Sequence, residues 1–169
     1  MAISPSTFVT DSNIWIDLHH GGVTTEVFGL PYRFVTTDLI YEELLQPAGS
    51  DLALLGLEKH ALNPDLIREM LEMVRLYPRP SRIDISGLVL ARHLKLPLLS
   101  GDEILRSAAG PGGIRQHGTL FLLDKMVAHG IITPEKEGST QIIASWINNI
   151  THTTYISNRP LIGGRSKNI

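Results

Sequence analysis

The stretch Phe8-Val9-Thr10-Asp11-Ser12-Asn13-Ile14-Trp15 leaves a chain few ways to fold, because a β-prone run breaks directly into helical spacing with a carboxylate on the junction. Residues 7–10 are β-branched, aromatic or hydroxylated and suit a buried strand, whereas Ile14, Trp15 and Leu18 recur at the helical period. In a doubly wound α/β protein such a turn lies at the carboxyl edge of the sheet, the crevice in which ligands bind. An Asp at a helix start also has a plain structural use, since its oxygen accepts a backbone N–H that lacks a helical partner. One such Asp favours the cap. A site is indicated only if the placement recurs.

It does recur. Phe34-Val35-Thr36-Thr37 reads as a second strand, running into a helix over 38–45 that carries Glu42 and Glu43 before Pro47 and Gly49 interrupt it. A short edge strand is expected over 57–62. Asn63-Pro64-Asp65 then opens a helix to about Leu76, with Asn as cap and Pro at the first helical position. Ser81 to Asp84 heads a near-continuously apolar helix through Leu94, and Pro97-Leu98-Leu99-Ser100 is a strand that Gly101-Asp102-Glu103 turns into another helix. A glycine-rich loop at 110–113, a short strand at 114–117 and a helix over 118–130 follow. A further helix is expected from Pro134 to about Asn148, with β-prone residues at 151–156. Alternating strands and helices at this spacing predict an α/β fold of three layers, α/β/α, with a mostly parallel central sheet.

A length of 169 residues suits one domain, expected over 1–156, with a basic C-terminal tail over 157–169 that carries Arg159, Arg165 and Lys167 and no acid. No run approaches the roughly 18 apolar residues of a membrane span, so no membrane partner is expected. Without cysteine there is neither a disulfide framework nor a thiolate metal site, and a cytoplasmic protein is the expectation. The formal charge of −2 argues against a strongly basic nucleic-acid binder, but not against an enzyme that gathers acids at one place and cations at another.

Asp11, Glu43, Asp84 and Asp102 fall at comparable positions. Each has a structural alternative: Ser81 and Asp84 have the spacing of a capping box, Asp102 lies in a first helical turn where its charge suits the dipole, and Glu43 can be a solvated helix residue. If parallel strands bring the acids together, their repulsion forces some to take up protons unless a cation intervenes. Oxygen-only ligands select a hard ion, Mg²⁺ or Mn²⁺, rather than Zn²⁺. Such an ion acidifies a bound water and screens the charge on a phosphodiester.

The segments Phe8 to Trp15, Leu39 to Leu44, Asp84 to Ala91 and Leu98 to Arg106 together resemble the successive motifs of PIN-domain nucleases, in order and spacing over roughly residues 6–133. The block from Gly118 to Ile132 is similar to the C-terminal part of the toxin-like branch, the VapC-type ribonuclease toxins. The resemblance implies a parallel sheet flanked by helices and a metal-dependent endoribonuclease acting on RNA. It also implies Asp11, Glu43, Asp84 and Asp102 as catalytic and metal-binding acids, with Asn13 and Ser100 as polar neighbours. Glu42 competes with Glu43, and helix phase decides between them. Many PIN proteins carry a further acid where this chain has Thr119, which leaves one metal or two open. An antitoxin protein and a homodimer are the partners that the branch implies.

Arg82 and Arg106 flank two of the acids, where a guanidinium serves either substrate phosphate or a structural ion pair. The histidines, mostly near helix ends, are assigned no role, Trp15 is read as core, and Asp17 is expected to face solvent. A haloacid-dehalogenase-type phosphatase needs a second acid where Asn13 stands, and a receiver domain fits the order of acids less well. The rival of another class is a PIN-like fold kept as a binding or scaffold module. Affinity for Mg²⁺ separates the two.

Overall fold

A computed structural model describes residues 6–102, 104, 105, 108 and 113–133. Its centre is a five-stranded parallel sheet in the order β3-β2-β1-β4-β5. The strands are β1 (Ser6–Thr10), β2 (Tyr32–Thr37), β3 (Glu58–His60), β4 (Leu98–Leu99) and β5 (Gln116–His117). The helices are α1 (Ser12–His20), α2 (Asp38–Glu43), α3 (Gly49–Leu55), α4 (Pro64–Leu76), α5 (Arg82–Leu94) and α6 (Thr119–Ala128), with a 3-10 turn at Glu26–Gly29.

Period-two alternation divides the strands between two cores. Phe8, Phe34 and Leu99 join Ile14, Trp15, Leu18, Leu52, Leu122 and Met126 on one face of the sheet. Val9, Val35 and Leu98 join Leu66, Met70, Met73, Ile85 and Leu88 on the other. Because helices cover both faces, adjacent strand residues are apolar in both directions, as in other sheets buried on two sides. This is the expected three-layer α/β/α architecture. The largest anchor is Trp15, fully buried, stacked on Phe28 at 5.3 Å and edge-on to Phe34 at 5.6 Å. Its indole N–H donates to Thr10 Oγ1 at 2.9 Å, so the one polar atom of the ring is satisfied.

Local chemistry sets the helix starts. Asn63 caps α4 by accepting from the N–H groups of Asp65 and Leu66, with Pro64 at the first position. Thr37 caps α2 through Ile40 N, and Ser81 and Asp84 form the capping box of α5. The second helix ends at Glu43 rather than 45, and α3 was not foreseen. Its start at Gly49 lies so close to the Tyr41 carbonyl that a Cβ there would collide with it. The helix expected from Pro134, the β-prone residues 151–156, the tail 157–169 and Arg106 lie outside the described residues.

Candidate functional site

Parallel register places the site. Val35 pairs with Val9, Thr10 with Leu99, and Leu99 with His117. One or two steps beyond those pairs, Thr37, Asp11, Ser100 and Gly118 form a row along the carboxyl edge, where each strand ends and a turn or helix begins. Backbone bonds continue the row: Asp11 N donates to Leu99 O at 3.1 Å and Ser100 N to His117 O at 2.9 Å.

Asp11 is completely buried. One carboxylate oxygen caps α1 by accepting from Ile14 N at 3.0 Å, and the other accepts a short hydrogen bond from the Ser100 hydroxyl. Both carboxylate oxygens are thus engaged, one as the cap of α1 and the other with Ser100. Burial pushes the Asp11 carboxyl up from 3.8 to about 7, the Ser100 and Ile14 bonds pull against it, and the charges of Asp84 and Asp102 push it further up. Ser100 also joins two of the acids, because its oxygen accepts from Asp102 N at 3.1 Å.

The other acids are less buried. Asp84 is half-buried and accepts from Ser81 N at 3.0 Å, completing the box. Asp102 is half-buried and accepts from Ile104 N at 2.7 Å and Leu105 N at 3.3 Å. Glu43 is exposed at the end of α2. It lines a cleft of about 630 Å³ with Asp84, Ser81, Asn13, Ser12 and His19. Helix phase separates the neighbouring glutamates: Glu43 lines the cleft, whereas Glu42 makes an exposed ion pair with Lys59 at 3.6 Å. A buried bond of 2.8 Å between Thr37 Oγ1 and Ser86 Oγ ties α2 to α5 and holds the two walls of this cleft together.

The edge thus brings Asp11, Ser100, Asp84 and Asp102 into electrostatic or direct contact, and it brings Glu43 and Asn13 into the cleft with Asp84. It does not close them: no three His, Cys, Asp or Glu side chains among the described residues form a group able to hold a metal. Arg82 is exposed at the first residue of α5, beside the capping box.

Asp17 is a correction. It does not face solvent but is half-buried, and it accepts a bond of 2.7 Å from the Thr119 hydroxyl. A Cβ on Gly101 would stand 3.2 Å from Asp17 Oδ2 and 3.8 Å from Asn13 Cβ. Asn13 and Asp17, four residues apart on α1, therefore share a helix face against the Gly101 turn. That spacing was the signal in the sequence; without knowing which face of α1 meets the turn, nothing gave it meaning. Thr37 and Ser86 were missed for a different reason, since isolated hydroxyls in apolar runs carry no signal of their own.

No family model and no curated protein matches this sequence. Among solved structures, the chain is similar to a PilT N-terminus domain protein from the hyperthermophilic archaeon Sulfolobus solfataricus P2. The identity is 16% over 73% of this chain and 95% of that one, with a TM-score of 0.46. It is also similar to VapBC2 from Rickettsia felis bound to a DNA fragment from the promoter, at 10% identity over 66% of this chain and 98% of that one, with a TM-score of 0.47.

Proposed function

We propose that this protein is a PIN-type, divalent-metal-dependent endoribonuclease, the toxin of a toxin–antitoxin pair. The observation that carries the reading is the state of Asp11: a wholly buried carboxylate, held by Ser100, whose pKa is raised by burial and by two further acids at the same edge. A protein gains no stability from setting a buried carboxylate near two further acids, and a hard cation is the group that relieves the conflict. The donors suit it. Asp84 keeps one oxygen outside the capping box, Asp102 keeps one outside its helix turn, and all donors are oxygen.

Asp11, Asp84, Asp102 and Glu43 would hold Mg²⁺ or Mn²⁺, which supplies an acidified water and screens a phosphodiester. Ser100 orients Asp11, while Asn13 and Thr119 provide polar contacts at the rim. Arg82, exposed two residues before Asp84, would take a substrate phosphate. Among the described residues no helix is long and apolar enough to cross a membrane. RNA substrate, cytoplasmic location, antitoxin and homodimer belong to the same proposal.

Incubation of purified protein with RNA and Mn²⁺ tests it. Cleavage by the wild type that is lost in EDTA and in Asp11→Asn is expected; equal cleavage by a well-folded Asp11→Asn overturns it. One observation favours a second reading, a binding module without catalysis: Asp11, Asp84 and Asp102 already serve as helix caps. Titration calorimetry with Mg²⁺ separates the two, because a module needs no heat of metal binding.

A further inference from the structure

Beside the acid edge, on the outermost strand, runs a row in which cations and rings alternate. His117 of β5 stacks on Phe121 of α6, with centroids 4.1 Å apart and planes 22° from parallel. Lys125, one helical turn after Phe121, stands 5.5 Å from that ring's centroid. Arg115 lies two residues before His117, the spacing of side chains on one side of an extended segment. Both cations act on the imidazole: after burial, the charges of Arg115 and Lys125 push the His117 pKa down, so the four side chains share one neighbourhood.

Packing alone does not explain this arrangement. Phe8 braces both rings from the core side, 6.1 Å from His117 and 5.8 Å from Phe121, yet neither ring is fully buried and Arg115 is exposed. Among the described residues Arg115 makes no ion pair, and Lys125 has only a 3.9 Å contact with exposed Asp124. Such a surface pair contributes little. Two neighbouring cations with so little acid opposite them among the described residues suit an anionic partner, and a flat ring between them suits a base. The row also leads somewhere: the His117 carbonyl accepts from Ser100 N, and Thr119, two residues on, donates to Asp17.

We propose that Arg115, His117, Phe121 and Lys125 form a landing platform for single-stranded RNA, with a base stacked on the rings and the flanking phosphates on the two cations, and that it delivers the strand to the acid edge. The proposal rests on the nuclease reading for its substrate. Base stacking on an aromatic surface tolerates any sequence, so the platform gives affinity and direction rather than a base code.

The test is fluorescence anisotropy of a short fluorescein-labelled single-stranded RNA in EDTA, where binding is read without cleavage. His117→Leu keeps the apolar contacts and removes the stacking ring, and is expected to raise Kd about tenfold. The exposed pair Arg115→Gln/Lys125→Gln is expected to weaken binding and to lower the salt slope by about 1.4, roughly 0.7 for each phosphate contact to a single strand. Arg68→Gln on α4, already paired with Asp65, serves as the control.

Kd values within about twofold of wild type in both sets overturn the platform, as does an equal loss in the control. Unaltered RNA binding with conversion of a dimer to a monomer assigns the face to a second copy of the chain and also overturns it. If the wild type cleaves RNA while the platform variants cleave with unchanged KM, the platform fails and the nuclease stands. A wild type that neither binds nor cleaves removes both.

Discussion

The two ends of the sheet are built on opposite terms. At the amino end Ser6 is exposed, Thr7 and Tyr32 are half-buried, and Arg33 meets Glu58 at 2.6 Å in an ion pair open to solvent. At the carboxyl end stand the buried polar residues Thr10, Asp11, Ser12, Thr36, Thr37, Ser86, Ser100 and Thr119. Burying polar groups costs free energy unless each is bonded, and a buried carboxylate costs most. Among the described residues most of this cost falls at one end, although the Thr24 hydroxyl is also buried elsewhere. Several of these groups cap helices, as Asp11 and Thr37 do, but the buried carboxylate of Asp11 beside Ser100 is the feature on which the proposed site rests.

The sharpest way to break this contrast is Asp11→Asn. RNA cleavage in Mn²⁺ should fall by more than the roughly 100-fold that bounds the loss of a supporting group. Stability should move the other way. Asp11 has a folded-state pKa of about 7 against 3.8, so the folded chain binds the extra proton between those values. The contribution is intact below about pH 4, is lost as pH rises towards 7, and stays lost above. In EDTA at pH 8 the variant should therefore be more stable than the wild type by up to about 4 kcal/mol, from about 1.4 kcal/mol per pKa unit. Urea denaturation from pH 4 to 8 checks this; a constant difference between the two proteins would show that Asp11 is not strained.

Ser100→Ala comes next, with activity expected to drop about 10- to 100-fold. The Ser100 bond lowers the Asp11 pKa, so its removal raises it, and the acid limb of the pH–rate profile should move to higher pH. A uniform loss at every pH would make Ser100 a packing residue only. Thr10→Val leaves the buried Trp15 indole N–H without its acceptor and should cost about 1–3 kcal/mol in thermal denaturation, with cleavage retained. Arg33→Gln, at the wet end, should change stability by less than about 1 kcal/mol and leave activity untouched. An effect as large as that of Thr10→Val would erase the distinction between the ends.

Most of the fold was legible because its signals are local. The break at Asp11, the Asn63-Pro64 start and the Ser81–Asp84 spacing are each written within four residues, and each appears as expected. What escaped depended on distance. Glu42 and Glu43 are equivalent in a list of residues, yet one turns to Lys59 and the other to the cleft. Asp17 read as a solvated helix residue because its partner, Thr119, lies 102 positions away.

The order of strands, turns and acids is thus a property of the sequence alone, because caps, turn residues and apolar periodicity act over one or two helical turns. Which acids face one another, and that Asp11 is the one wholly buried, was decided only by tertiary structure. Parallel register sets Asp11 beside Ser100 across 89 residues, and packing from both faces removes the water that would otherwise have kept its charge.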